Sequence, residues 1–192
     1  MTETTTDTRP TLVVIGGPPG VGKTTLAHAV ARAVGCPAVC RDEIKEGMVH
    51  ATPDFSAGRS QELNLRTLPA FFGVLDLLIG AGVTTVAEAA FQDRLWRPGL
   101  EALRGRARLR VVHCSVDAEV ALARRLRRAQ DPARTAHEIP GSIDPAAHTR
   151  GHDTFDRVSV DAPWIEVDTT DGYAPGLAEI VAFVNGPGSR PE

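Results

Sequence analysis

Aromatic residues are scarce in this chain. They make up 5% of 192 residues, with a single tyrosine and two tryptophans. That scarcity argues against a groove for single-stranded nucleic acid, where aromatic rings are needed as platforms for successive bases. Positive charge is not in excess either. Twenty-one Lys and Arg face 24 Asp and Glu, for a net charge of −3, so no overall basic field marks a dedicated nucleic-acid binder. Cysteines number three, Cys36, Cys40 and Cys114. They form neither a C-x-x-C redox pair nor a zinc spacing, and His113 beside Cys114 has no second close pair to complete a metal site. They are expected to be small buried apolar residues. No apolar stretch reads as long enough to cross a bilayer. Thr2 to Arg9 lacks the apolar core of a signal peptide, so a cytoplasmic chain is expected. No Asn-Lys-x-Asp segment is present to read guanine, which disfavours a GTPase switch.

What is present is decisive in one place. Gly17-Pro18-Pro19-Gly20-Val21-Gly22-Lys23-Thr24 matches the phosphate-loop pattern G-x-x-x-x-G-K-[ST] at every fixed position. The β-branched run from Thr11 to Ile15 before it reads as a buried parallel strand. The alanine-rich stretch from Thr25 to Val34 after it reads as a helix capped by Gly35. Strand, glycine loop and helix are the context the motif requires. The glycines let successive N–H groups turn toward phosphate oxygens, and the helix start adds positive potential. Lys23 would reach the β- and γ-phosphates, and Thr24 would hold Mg²⁺.

The chain is the size of one domain, with an apolar share of 42% and a charged share of 23%. Residues 1–10 and 186–192 read as tails, leaving 11–185 as the domain. Strands are expected at Ala38–Cys40, Val83–Ala87, Leu109–Cys114 and Trp164–Asp168. Helices are expected from Asp42, a candidate N-cap, to Val49, from about Gln61 to Ala81 with an interruption or bend near Pro69, over Ala118–Ala129, and through Ile180–Val184. This alternation predicts an α/β fold of the P-loop NTPase type: a five-stranded parallel sheet between helices. Ligands then bind beyond the carboxyl ends of the strands.

Those ends carry the candidate residues. Asp42 is placed to accept a proton from an attacking hydroxyl, or to cap its helix. Arg41 and Lys45 stand beside it as candidates for substrate contact. Glu88 follows the third strand, where an acidic group would assist Mg²⁺ or substrate; a solvated loop carboxylate is the alternative. Phe91 is a candidate for the substrate pocket, or packing. Arg124 and Arg128 share one face of a basic helix. The segment that follows, with Arg134, His137 and His148, lacks a clear apolar period. Residues 124–152 are therefore read as a mobile lid whose arginines close over a nucleotide and exclude water. His137, His148 and His152 lack ligand spacing and read as surface histidines. Thr169, after the fifth strand, could border the nucleotide base.

With these residues in place, the chain resembles the small P-loop kinases of the group that includes the kinase half of bacteriophage polynucleotide kinase, chloramphenicol phosphotransferase and the zeta toxins, among AAA-type ATP-binding proteins. The likeness runs from about Thr11 to Val184. The segment Arg41-Asp42-Glu43-Ile44-Lys45 is similar to the Arg-Asp element of the polynucleotide-kinase branch, with Lys45 where that branch tends to place an arginine. The resemblance implies an ATP- and Mg²⁺-dependent transfer of phosphate to a hydroxyl. In it, Gly17 to Thr25, Arg128, Arg134 and Thr169 contact the nucleotide, and Thr24 and Glu88 contact the metal. Lys23, Asp42, Arg124 and Arg128 would act in catalysis. Arg41, Asp42, Lys45, Glu88 and Phe91 would meet the acceptor. A small-molecule acceptor (antibiotic, nucleoside or sugar derivative) is favoured; a polynucleotide 5′-hydroxyl and an ATP-binding switch without transfer stay open.

Overall fold

The computed structural model describes residues 7–52, 60–130, 141 and 143–186. Arg134 and His137 lie outside the described residues, as does much of the expected lid. The elements run β1 (Thr11–Gly16), α1 (Lys23–Val34), β2 (Ala38–Cys40), α2 (Arg41–His50), α3 (Ser60–Gly80), β3 (Thr85–Glu88), α4 (Asp93–Arg104), β4 (Arg108–Ser115), α5 (Ala118–Arg128), α6 (Pro145–Asp153), β5 (Trp164–Asp168) and α7 (Leu177–Asn185). The strands form one sheet in the order β2-β3-β1-β4-β5, and every pairing is parallel. The α/β fold expected from the sequence is the fold observed.

The central strand β1 is buried along its whole length. Its side chains alternate between two cores, as the period of a strand dictates. Leu12 and Val14 join Phe71, Leu75, Phe91, Trp96 and Leu100 on one face, where α3 and α4 pack. Val13 and Ile15 join Leu26, Val30, Ala121, Ile180 and Val184 on the other, where α1, α5 and α7 pack. Burial of this kind contributes roughly 1.5–3 kcal/mol for each large apolar side chain.

Four readings of the sequence change. Helix α2 begins at Arg41, so its N-cap is Cys40 and Asp42 sits inside the first turn. There its carboxylate favours the helix macrodipole rather than capping the end. Strand β3 starts at Thr85, because Val83 N–H is taken by Leu78 O at the end of α3. Helix α4 was not expected: Pro98 lies inside it, yet Trp96, Leu100 and Leu103 recur on one buried side. Gly99 leaves room for the Phe72 ring against the backbone. Helix α6 was read as loop, although Asp144 accepts from Ala146 N–H at 2.9 Å and Pro145 opens the helix.

The expectation about apolar length also changes. Glu62–Gly80 is long and apolar enough by composition to cross a membrane, with mean hydropathy 1.3 over 19 residues. Arg66, Pro69 and Asp76 interrupt it in the sequence. In the fold Leu63, Thr67, Phe71, Leu75 and Ile79 form a buried stripe at helical spacing, while Arg66 and Asp76 face outward.

Candidate active site

The phosphate loop leaves β1 at Gly16 and turns through three residues with positive φ: Gly17 (144°), Gly20 (92°) and Gly22 (80°). At Gly17 a Cβ would lie 2.5 Å from Cys114 O, so only glycine fits both the torsion and the space. Gly22 is the N-cap of α1; no side chain caps it and no acid stands in the first turn. The first N–H groups of α1 therefore have no partner from within the helix, and they carry the positive end of its dipole. That is an anion site made of backbone. Lys23 curls over the loop and donates to Pro18 O at 2.9 Å.

Thr24 Oγ donates to Glu88 Oε2 at 3.1 Å. The register explains why they meet: Glu88 pairs with Ile15 on one side and Cys40 on the other. β3 thus lies between β1 and β2, and Glu88 stands between the phosphate loop and Asp42. Glu88 is 3% exposed. Burial raises its carboxyl above the ordinary value, and the Lys23 charge pulls it back down. A hydroxyl and a buried carboxylate are the hard oxygen donors that suit Mg²⁺, so these two residues fit the ion expected from the sequence.

On the far side of Glu88, Arg41 donates to Asp42 Oδ1 at 2.9 Å and to Asn64 Oδ1 at 2.7 Å. The pair ties the start of α2 to α3. The Asp42 side chain is 58% exposed and looks into a cavity of about 410 Å³. That cavity is lined by Lys23, Thr24, Arg41, Asp42, Lys45, Asn64, Glu88, Arg125 and Arg128, among others. Lys45 is buried at its wall, and desolvation together with the Arg41 charge lowers its pKa.

A second cavity of about 660 Å³ opens on the other side of the loop, lined by Gly20, Gly22, Thr25, Arg124, Arg127, Arg128, Thr169, Gly172 and Tyr173. The two cavities share Gly20, Gly22, Thr25 and Arg128. They are two recesses meeting at the phosphate loop. Thr169 stitches the second together: its Oγ donates to Val21 O at 2.8 Å, and its N–H donates to Ser115 O at 3.0 Å.

The expected residues divide as follows. Lys23, Thr24, Arg41, Asp42, Lys45, Glu88 and Arg128 come together around the first cavity. Pro19, Gly20, Gly22 and Thr25 line it as well, while Gly17, Pro18 and Val21 are buried in the loop behind. Phe91 does not reach the cavity. It is 1% exposed and packs edge-on to Trp96 and Phe71, with ring centroids 5.0 and 6.0 Å away. Its φ of 42° turns the chain after β3 and drops the ring into the core. Arg124 is not brought to the Lys23–Glu88 centre. Its guanidinium donates to Thr169 O at 2.7 Å, Thr170 O at 3.1 Å and Thr169 Oγ at 3.2 Å, which fixes it at the second cavity. His148 is not a surface residue: it is 6% exposed, with Nδ1 2.8 Å from an Arg125 nitrogen and Nε2 3.3 Å from Ala118 O. Arginine only donates, so Nδ1 accepts and the ring proton is on Nε2. This joins α6 to α5.

Sequence reasoning missed Asn64 and Tyr173 as cavity residues; Arg125, which lines the first cavity, lies in the helix read as the start of the lid. Tyr173 had a signal, as the one tyrosine of the chain, five residues past the end of β5. Asn64 had none, because helix packing brings it in.

Residues 12–143 match the model of a family described as AAA domain. No curated protein matches the chain. Among solved structures, a candidate kinase of Chloroflexus aurantiacus j-10-fl superposes with a TM-score of 0.78 at 22% identity, covering 91% of this chain and 96% of the other. The APS kinase CysC of Mycobacterium tuberculosis, in complex with AMPPNP and APS, gives 0.61 at 16%, covering 93% and 99%. A tunicamycin resistance protein of Deinococcus radiodurans gives 0.55 at 20%, covering 96% and 100%. These likenesses show that the chain has the P-loop kinase fold.

Proposed function

The chain belongs to the AAA domain family matched by its residues 12–143, and on that premise we propose that it is an ATP-dependent kinase that phosphorylates a hydroxyl of a small polar molecule. The observation that carries the reading is the pair of recesses meeting at the phosphate loop and Arg128. One is fit for a nucleotide and the other for an acceptor, with the transferring phosphate between them. The chain shares its fold with an APS kinase seen with a nucleotide analogue, and that likeness supports the same division of labour.

In the proposed reaction the backbone N–H groups from Gly20 to Thr24 and the Lys23 ammonium hold the β- and γ-phosphates. Thr24 and Glu88 would hold Mg²⁺, which when bound neutralises charge on those phosphates. Asp42 takes the proton of the acceptor hydroxyl as it attacks. Arg41 holds the Asp42 carboxylate in place from 2.9 Å. Arg128 supplies charge to the transferring phosphoryl group from the wall between the cavities. Arg124, Thr169 and Tyr173 border the nucleotide base.

The acceptor class follows from the wall. Among the described residues, the first cavity is lined by Arg41, Asp42, Glu43, Lys45, Glu46 and Asn64 toward α2 and α3, and no aromatic ring joins them. Such a wall recognises hydroxyls and charged groups through hydrogen bonds, and offers little to an apolar drug or a stacked base.

Transfer of labelled γ-phosphate from ATP tests this. A fractionated small-molecule extract and a 5′-hydroxyl oligonucleotide are assayed side by side, with Asp42→Asn as the control. Label in a small polar fraction, reduced about 10²–10⁴-fold in Asp42→Asn with ATP affinity retained, is the expected result. Label on the oligonucleotide would replace the small acceptor by a nucleic acid. Free phosphate alone, equal in both proteins, would leave a nucleotide-binding switch.

A further inference from the structure

Beside the first cavity three unlike donors converge from three elements. His28 comes from α1, Cys40 from the end of β2 and Glu43 from the first turn of α2. His28 Nε2 lies 2.7 Å from Glu43 Oε1 and 3.8 Å from Cys40 Sγ. All three donor atoms fall within 4.8 Å of one another. We propose that His28, Cys40 and Glu43 bind one divalent transition-metal ion of the zinc class, at a site separate from the Thr24–Glu88 pair.

The geometry suits such an ion. Zinc bonds of about 2.0–2.3 Å in a tetrahedron set donor atoms about 3.3–3.7 Å apart. The sulfur-to-nitrogen distance, 3.8 Å, lies just beyond that range, so a small inward turn of His28 brings it in. The histidine and glutamate close on each other as a hydrogen-bonded pair, and both side chains are nearly half exposed, so a small rotation opens them. Cys40, by contrast, is 2% exposed and its backbone is fixed by the β2–β3 ladder at Cys40–Glu88. One donor is rigid and two swing from the solvent side, which also gives the ion its way in. Three protein ligands leave the fourth position for water.

The donor set selects the ion. Thiolate with imidazole favours zinc, copper or cobalt and disfavours Mg²⁺ and Ca²⁺, which take oxygen. The free thiol is protonated, held so by burial and by the neighbouring carboxylates Glu88 and Glu43. Binding is therefore an exchange: the metal–sulfur bond forms, the S–H bond breaks, and one proton leaves to solvent. A surface His–Glu pair alone contributes little to stability and does not call for a thiol beside it. Sequence spacing hid the site, since only Cys40 and Glu43 are close in the chain. Glu43 also lines the first cavity, so an ion held here stands at its edge. The proposal does not depend on what that cavity binds.

The test uses the full chain without a histidine tag, reduced, and free of nucleotide and Mg²⁺. Zn²⁺ affinity is measured by competition with a chromophoric chelator, and Co²⁺ is titrated as a spectroscopic probe. The expected result is one equivalent bound, release of about one proton, and a thiolate-to-cobalt charge-transfer band. Cys40→Ser abolishes the band and weakens Zn²⁺ at least ~100-fold, beyond the loss typical when a residue that only hydrogen-bonds a ligand is changed. His28→Ala, at an exposed position that leaves the fold intact, weakens it at least ~10-fold. Cys36→Ser changes neither. No zinc binding, binding unchanged in Cys40→Ser and His28→Ala, or a band lost in Cys36→Ser would each overturn the site.

Discussion

The Thr24 hydroxyl reaches the Glu88 carboxylate across 3.1 Å, joining the phosphate loop to the neighbouring strand. Thr24 sits on α1 and Glu88 ends β3, so one hydrogen bond spans two elements that the sheet holds rigidly. Replacing Glu88 by Gln keeps the shape and removes the charge. Transfer activity is expected to fall on the order of 10²–10³-fold, and its dependence on Mg²⁺ concentration to shift upward. Nucleotide binding measured without Mg²⁺ should stay close to wild type. A Mg²⁺ titration that superposes for the two proteins would remove Glu88 from the metal.

The same carboxylate carries a stability cost. Its pKa is raised by burial, so the unfolded chain releases the Glu88 proton at lower pH than the folded chain does. The folded state is favoured while the group is protonated, and loses that advantage as pH rises through the raised value. Without Mg²⁺ and nucleotide, Glu88→Gln is therefore expected to be more stable than wild type at pH 8. The gap in Tm should narrow toward pH 4.5. A gap that widens on acidification would contradict this assignment.

His113 gives the opposite slope. It is buried in β4 against Trp164, and desolvation with the Arg157 charge lowers its pKa from 6.5 to about 4. Between those values the unfolded chain binds the extra proton, so stability falls as pH drops from 6.5 toward 4. The loss amounts to roughly 3 kcal/mol, at 1.36 kcal/mol for each pH unit between the two values. Urea unfolding of His113→Gln should show a shallower decline across this window. Equal slopes would show that other groups carry the acid sensitivity.

Arg124 holds two carbonyls and one hydroxyl at the end of β5. Lysine at this position keeps the charge but not the fork that spans three acceptors. Arg124→Lys is expected to raise the KM for ATP several-fold with little change in kcat, because the contacts lie at the second cavity, away from Lys23 and Asp42. A fall in kcat at constant KM would instead place Arg124 at the transferring phosphate.

Arg110 carries no catalytic expectation, and its effect should be on stability alone. Its guanidinium is buried in β4 and donates to Phe183 O at 3.2 Å and Gly186 O at 2.7 Å, closing the C-terminal end of α7. Arg110→Met leaves those carbonyls unpaired and is expected to destabilise by about 1–3 kcal/mol. Urea unfolding measures this, and a variant as stable as wild type would show that solvent replaces both bonds.

The sheet and the phosphate loop were legible because their signals are local. A β-branched run before Gly17 and the glycine spacing after it depend on residues within one turn of each other. β5 was readable to its ends, Trp164 and Asp168, since Pro163 precedes it and Thr169-Thr170 follow it. Other parts are set by distant neighbours. Phe91 is placed by Phe71 and Trp96, one of them 20 residues earlier in the chain. Helix α4 runs through Pro98 and Gly99 because the buried stripe of Trp96, Leu100 and Leu103 holds it against the core. Asp144-Pro145 did announce α6, and the missing apolar period outweighed it. Asp42 was placed near the phosphate loop on the assumption of neighbouring strands. In fact β3 intervenes, and that intervening strand is what supplies Glu88.

The wall between the two recesses is thin: glycine backbone, Thr25 and Arg128. Arg41, Lys45 and Asn64 border one side only, and Arg124, Thr169 and Tyr173 the other. The two sides are thus separable in descent and in design. Exchanging the surface that α2 and α3 present would redraw one recess while its counterpart stays as it was. A family built on this frame can diversify what it accepts without renegotiating how it holds a phosphate.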